Sequence, residues 1–325
     1  AEVKKIIDLG IEMKMGVRVG TDISLEQLEK DYDAVFIGVG AQIGRKLPIS
    51  GFSNRPQTTN AIDFLRAFEI HGDDFEIGKK VIVIGDGNVA MDVARLARRM
   101  GSESTILSAV PREEMNCYSD EFDDAIEEGA NIEYLTGTLE VLENGAGVCG
   151  AKCAKMVKKE KDEDGWNAPI PFLRYKTTDE VFEIEADMVV ASIGQMTDMK
   201  GFEDSIHENT SLLKVDKYLR VIGKENVFGG GDALKVDLIT TAVGHGRKAA
   251  DSIDAYLKDL DLPEEPYRSV IKVKEQDLNY FFHSNQAKRN HHVAKNIIGN
   301  HEEVLEALTK EQAEEESSRC MSCGL

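Results

Sequence analysis

The segment 80–101 constrains the fold of this chain more than any other stretch. It begins with residues 81–84, an unbroken β-branched run that is typical of a strand buried in a parallel sheet. From Asn88 onward apolar residues recur at helical spacing, and Gly101 stands where a helix would end. The segment therefore predicts a strand, a short glycine turn and a helix in succession.

The turn between that strand and that helix has the pattern G-x-G-x-x-A. Its first glycine permits a tight turn, its second lets backbone approach a pyrophosphate, and its alanine lets the helix pack closely on the strand. The helix N-terminus would then face the phosphates. A bare G-x-G is a weak signal, but the order of strand, turn and helix favours dinucleotide binding. The predicted nucleotide contacts are Gly85, Gly87, Asn88, Val89 and Ala90.

Composition sets wider bounds on the chain. Its 325 residues exceed what one core usually holds and suggest about two domains. With 59 acidic and 39 basic residues the net charge is −20, which disfavours nucleic acid and anionic membranes as partners. No apolar run approaches the roughly 18 residues that a membrane span requires. Five cysteines without the framework of a secreted scaffold suit a reducing compartment, so we expect a cytoplasmic protein.

Three further stretches combine an apolar strand with glycines at its end. Residues 33–41 give a buried strand that ends in Gly-x-Gly-Ala, and residues 186–195 repeat this type of ending. Residues 229–232 then read Gly-Gly-Gly-Asp and precede a helix through Leu257. One such strand end alone is more often only a strand end, whereas the repetition favours ligand sites. Between them, residues 148–175 alternate weakly and predict an antiparallel ribbon laid on the sheet.

Five spaced motifs resemble the small-subunit family of glutamate synthase. They are residues 85–95, 112–115, 193–195, 230–232 and 246–250. That family consists of FAD-containing, nicotinamide-linked flavoproteins built on the two-domain plan of thioredoxin reductase. The resemblance covers roughly residues 1–257. It implies an α/β fold with two Rossmann-like dinucleotide-binding domains, in which an NAD(P)-binding domain is inserted into an FAD domain and a helical tail follows.

The resemblance also implies how the chain divides. Residues 1–58 would be the C-terminal part of the first FAD-domain segment, and 59–205 the NAD(P)-binding domain. The FAD domain would return over 206–258, followed by a helical tail over 259–319 and the start of a ferredoxin-like module at 320–325. The family's FAD domain opens with a G-x-G-x-x-G of its own, which nothing before the turn at 85–90 supplies. We therefore expect the sequence to extend upstream by on the order of a hundred residues.

Cofactor contacts follow from the resemblance residue by residue. Asp232 would accept from a ribose or ribityl hydroxyl of FAD. A helix beginning at Thr241 and Ala242 would point its positive end at the flavin pyrimidine ring. The small residues that follow Asp232 in the family are replaced here by Val236 and Asp237. The full set of implied contacts outside the turn at 85–90 is Gly38, Gly40, Ala41, Arg112, Gly194, Gly231, Asp232, Thr241 and Ala242.

The C-terminal stretch carries a possible metal site. Cys320 and Cys323 have the C-x-x-C spacing with which a ferredoxin-type run begins, and thiolates at that pitch hold a [4Fe-4S] cluster. Two cysteines do not complete such a cluster, so a zinc half-site and a redox dithiol stay open as alternatives. Residues 319–325 follow the flavoprotein part of the sequence, and this combination resembles the electron-transfer flavoprotein associated with dissimilatory sulfite reductase.

The main functional hypothesis is electron transfer between NAD(P)H and iron–sulfur clusters through FAD. Hydride would pass between nicotinamide C4 and flavin N5, and the flavin would release single electrons to clusters of the protein itself or of a ferredoxin-type partner. This step needs no protein acid or base. One alternative is a glutamate synthase small subunit that supplies an amidotransferase subunit. Another is a non-catalytic assembly subunit that retains the nucleotide fold.

Nucleotide choice should depend on the end of the strand at 104–108, about twenty residues past the glycine turn. Relatives that use NADPH present arginines just before their Arg-Glu-Glu-Met. In this chain those places hold Ala109 and Val110, which leaves Arg112 as the nearby cation. The sequence therefore predicts NAD(H) in preference to NADP(H).

Overall fold

The computed structural model describes residues 2–53, 55–208, 210–261, 297–301 and 307–318. The chain divides into two compact units. The first unit comprises Ala1–Ile43 and Gln195–Pro266, and the second comprises Gly44–Gly194 and Tyr267–Leu325. Cys320 and Cys323 lie outside the described residues.

The secondary structure of the described residues comprises both helices and strands. The helices are α1 (Glu2–Ile7), α2 (Leu25–Asp31), α3 (Ala61–His71), α4 (Asn88–Arg99), α5 (Ser119–Glu127), α6 (Ile239–Leu257) and α7 (Lys310–Ser318). The strands are β1 (Val35–Ile37), β2 (Ile43–Gly44), β3 (Thr58–Asn60), β4 (Lys80–Ile84), β5 (Glu103–Leu107), β6 (Asn131–Glu133), β7 (Thr136–Asn144), β8 (Gly147–Lys158), β9 (Tyr175–Glu185), β10 (Met188–Ala191), β11 (Gln195–Met196) and β12 (Val227–Gly229).

The second unit is built on a five-stranded sheet in the order β3-β10-β4-β5-β6, with parallel neighbours throughout. The predicted buried strand is its centre, because β4 pairs on one side with β10 and on the other with β5. Residues 81–84 are buried. The predicted helix follows as α4, which buries an apolar stripe against the sheet: Ala90, Met91, Val93, Ala94 and Ala97.

The other face of that sheet is covered by a three-stranded antiparallel sheet in the order β7-β8-β9. Ile82 and Val189 of the parallel sheet share a core with Val141, Ala151 and Cys153 of the antiparallel one. The predicted antiparallel ribbon on the sheet is therefore confirmed, but its bounds are wider than the predicted 148–175, since β7 begins at Thr136 and β9 ends at Glu185. Cys153 is a packed thiol, and burial raises its pKa to about 11, so it is protonated at neutral pH.

The first unit contains a parallel pair of strands, β1 and β12, in which Val35 is level with Val227 and Ile37 with Gly229. Leu25, Phe202 and Leu213 belong to the core packed around this pair. Helix α6 follows β12 after a short loop. The parallel sheets and their helices confirm the α/β class. Among the described residues, every helix is too short or too polar to cross a bilayer.

Candidate functional site

In the second unit the glycine turn lies at the carboxyl end of β4, where α4 begins. Gly85 has φ of +133°, and a Cβ added there would lie 2.2 Å from the carbonyl oxygen of Ser192. Gly87 is the N-cap of α4 in an extended conformation, and a Cβ added there would meet no atom within 4 Å. Ala90 is fully buried. The first glycine is therefore required by the backbone, whereas the second borders open space into which a phosphate can approach.

The turn is joined to the loop that precedes α5. The amide of Cys117 donates to the carbonyl oxygen of Asp86 at 3.1 Å. The amide of Tyr118 donates to Asn88 Oδ1 at 2.8 Å. Asn88 was predicted to contact the nucleotide, and in the structure its side-chain oxygen holds this loop. Burial raises the pKa of Asp86, while the side chain of Asn116 hydrogen-bonds that carboxylate and opposes the shift.

The loop after β5 places the two positions that bear on nucleotide choice in different environments. Ala109 is partly exposed, whereas Val110 is fully buried. Ser108 fixes this turn, because its Oγ donates to the Val110 carbonyl at 2.8 Å and accepts from the Val110 amide. The Arg112 guanidinium lies 3.8 Å from the centroid of the Phe122 ring. Arg112 is thus held against α5 by a cation–π contact.

Gly194 lies just past the end of β10, at the same carboxyl edge as Gly85. The amide of Ser192 donates to the Ile84 carbonyl at 2.7 Å, which joins the two strand ends. Gly194 has φ of +96°, and its carbonyl accepts from the amide of Arg45 at 3.0 Å. Arg45 places a guanidinium near this edge. Sequence reasoning passed over Arg45, because its surroundings carry only loop signals.

In the first unit, glycine-rich turns follow the carboxyl ends of β1 and β12. Gly230 donates to the Ile37 carbonyl at 3.1 Å, so residues 38–40 and 230–232 leave the pair side by side. A Cβ at Gly38 would lie 2.9 Å from the Phe36 ring, and one at Gly230 would meet the same ring and His245 at 2.9 Å. Ala41 is buried. Side chains at these glycines would overlap the Phe36 ring, and at Gly230 also His245, so this packing favours glycine at both positions.

The Gly231–Asp232 turn is held from two sides. Gly231 has φ of +64°, and its amide donates to Nδ1 of His245 at 3.1 Å. Asp232 Oδ1 accepts from the Asp237 amide at 3.2 Å, which leaves Oδ2 to accept from a ligand hydroxyl. His245 was missed by sequence reasoning, because one polar residue in a helical pattern gives no signal.

Helix α6 begins at Ile239 rather than at Thr241 and Ala242, so the predicted start is wrong by two residues. The cause is the cap: Asp237 Oδ1 accepts from the Leu238 amide, and the Leu238 carbonyl accepts from the amides of both Thr241 and Ala242. Those two residues lie in the first turn, with Ala242 close to Gly231. The helix N-terminus still faces the Gly-Gly-Asp loop. The glycines, the Asp232 carboxylate and this positive helix end fit a flavin dinucleotide.

Among the residues that the structure describes, no three His, Cys, Asp or Glu side chains converge as metal ligands. Because Cys320 and Cys323 lie outside that part of the chain, the cluster assignment stays a prediction.

The sequence of this chain matches a known protein family and several curated proteins. The family model for pyridine nucleotide-disulphide oxidoreductases matches residues 4–246. The chain is 31% identical to an NADPH-Fe(3+) oxidoreductase subunit beta from Geobacter sulfurreducens, over 98% of this chain and 52% of that one. It is 32% identical to a glutamate synthase [NADPH] small chain from Halomonas elongata, over 77% of this chain and 55% of that one. The predicted resemblance to the glutamate synthase small subunit is therefore confirmed.

Among solved structures, FprA from Mycobacterium tuberculosis in complex with NADPH matches with a TM-score of 0.58 at 21% identity, over 75% of this chain and 68% of that one. At this identity the match shows the fold alone. The chain spans about half the length of the two curated relatives.

Proposed function

Because the chain belongs to the pyridine nucleotide-disulphide oxidoreductase family, we propose that it is part of an FAD-dependent oxidoreductase that passes electrons between NAD(P)H and iron–sulfur clusters. One observation carries this proposal: two strands of this chain end in glycine-rich turns, and each turn precedes the N-terminus of a helix. The turn at 85–90 contains the start of α4 in the second unit. The loop at 230–232 faces the start of α6 in the first unit.

When bound, FAD supplies the two-electron to one-electron conversion that links a hydride donor to clusters. The chain's own residues bind and orient. Gly87 admits the nucleotide pyrophosphate to the backbone, and the N-terminus of α4 stabilises its charge. Asp232 accepts a hydrogen bond from a hydroxyl of the flavin nucleotide, and the N-terminus of α6 stabilises negative charge on the flavin ring. Hydride transfer requires no side chain that exchanges a proton.

The electron acceptor is proposed to be an iron–sulfur centre. Cys320 and Cys323 would supply two thiolates of a [4Fe-4S] cluster whose other ligands lie elsewhere, and a ferredoxin-type protein or redox subunit would receive the electrons. The names of the two relatives support the proposal that this protein acts as a subunit of a larger assembly, since one relative is a beta subunit and the other a small chain. The second of them favours one alternative, a small subunit that supplies electrons to an amidotransferase.

The proposal is tested with the full-length protein that contains this sequence. We expect a flavin spectrum that bleaches anaerobically on addition of NADH or NADPH, and iron that Cys320→Ser lowers by about one cluster. Reduction of a one-electron acceptor should slow in that variant, whereas flavin bleaching should persist. A protein without bound flavin would instead support the assembly-subunit alternative. Zinc in place of iron would contradict the cluster.

We further propose that NADH is preferred to NADPH. Ala109 carries no charge, and Val110 is apolar and fully buried. Arg112 lies over Phe122, which limits its freedom to reach a ribose 2′-phosphate. Both relatives named above are NADPH enzymes by name, so the preference rests on these positions of this chain.

The preference predicts a kcat/KM for NADH at least about tenfold that for NADPH, since one missing charge-assisted hydrogen bond to phosphate accounts for such a ratio. Ala109→Arg, at a partly exposed position, should move the ratio toward NADPH. Val110→Arg is unsuitable, because a guanidinium there would enter the core. Steady-state kinetics with both nucleotides give the answer, and a tenfold preference for NADPH in the unaltered protein would contradict the proposal.

A further inference from the structure

Glu114 is the most heavily bonded carboxylate of the loop that follows β5. Its side chain is 18% exposed. Oε1 accepts from Lys158 Nζ at 2.8 Å, and Oε2 accepts from Arg174 Nη1 at 3.2 Å. Two cations, one at the end of β8 and one just before β9, therefore converge on one residue of the loop.

This convergence places two cations beside the proposed nucleotide loop. Glu114 closes the short turn Arg112–Glu114, so its partners lie next to the segment that carries Arg112. Lys158 is 56% exposed and Arg174 is 28% exposed, so both reach solvent. The Lys158 hydrogen bond holds the pKa of Glu114 below its usual range, against the effect of desolvation. The carboxylate is therefore ionised at neutral pH and offsets their charge.

We propose that Glu114 is a specificity-determining residue, because it occupies Lys158 and so withholds this cation from a ribose 2′-phosphate. Arg174 stays in place in any case, since its guanidinium also donates to the carbonyl oxygens of Ala168 and Pro169. The inference rests on the proposed nucleotide site. Lysine binds a phosphate as a point charge, so an exposed ammonium such as that of Lys158 suits a 2′-phosphate. Without the Glu114 charge, Lys158 would join Arg112 at this loop and attract the additional phosphate.

The test uses Glu114→Gln, which keeps the shape of the side chain and removes its charge. The probes are adenosine 2′,5′-bisphosphate and 5′-AMP, titrated calorimetrically into the full-length protein. We expect affinity for the bisphosphate to rise about tenfold or more, as one charge-assisted hydrogen bond would give, with 5′-AMP nearly unchanged. Glu114→Asp, which keeps the charge, should leave the ratio of affinities near its original value.

The matched control is Glu113→Gln, an exposed neighbour with the same change in charge. An equal gain in that variant, or equal changes for both ligands in Glu114→Gln, would overturn the inference. Adding Lys158→Met to Glu114→Gln should reverse the gain, since it removes the cation that the first change releases. If the unaltered protein bound neither probe, the nucleotide site itself would be wrong, an outcome distinct from an unchanged ratio.

Discussion

Replacing Gly85 with alanine is expected to destabilise the second unit and abolish nucleotide binding. The new Cβ would lie 2.2 Å from the Ser192 carbonyl oxygen, a backbone atom held by β10, and φ of +133° is a conformation that alanine avoids. Strain of about 1–3 kcal/mol from the dihedral angle and about 1–3 kcal/mol from the overlap should add, because the two strand ends cannot separate without losing the Ser192–Ile84 hydrogen bond. Urea denaturation followed by circular dichroism measures the loss.

Gly87→Ala is the matched control two residues away. A Cβ there meets no atom within 4 Å, and the backbone is already extended. We expect a change in the free energy of unfolding below about 1 kcal/mol, the size of an N-cap effect. Nucleotide affinity should nevertheless fall, because the methyl group occupies the space through which the pyrophosphate approaches the backbone. Equal stability losses in the two variants would contradict the different roles assigned to these glycines.

The nucleotide-binding unit could be predicted from sequence because its signals are local. Residues 81–84 and the helix after Asn88 follow one another without interruption, and each carries its own period of apolar residues. A parallel strand buried on both faces leaves an unbroken apolar run, which a half-exposed strand does not. The structure places this strand at the centre of the sheet, where other elements cover both of its faces.

The parts that sequence could not supply depend on residues far apart in the chain. Glu114 meets Lys158 and Arg174, 44 and 60 positions away, across strands whose register no local pattern sets. His245 meets Gly231 because helix α6 returns to the loop that precedes it. The start of α6 was misplaced since a leucine N-cap gives no recognisable signal, and the deciding contact comes from Asp237.

Replacing Asp232 with asparagine is expected to release flavin while the fold persists. Asparagine keeps Oδ1, which accepts from the Asp237 amide and so maintains the loop. It exchanges the second carboxylate oxygen for an amide nitrogen, which donates where a ribityl or ribose hydroxyl of FAD also donates. The loss of one charge-assisted hydrogen bond, about 1.5–3 kcal/mol, corresponds to roughly a ten- to hundredfold rise in the FAD dissociation constant.

The neighbouring carboxylate provides the control for that change. Asp237 is exposed, lies in the same loop and carries the same charge, and the Lys235 hydrogen bond lowers its pKa. Asp237→Asn keeps Oδ1 for the Leu238 amide and should retain stoichiometric flavin, because the Asp237 carboxylate bonds Leu238 and Lys235 rather than the cofactor. Flavin content after gel filtration and fluorescence titration of added FAD measure both variants. Full flavin retention by Asp232→Asn would place the cofactor contact elsewhere, whereas equal losses would show that the charge of the loop, not the position of Asp232, holds the flavin.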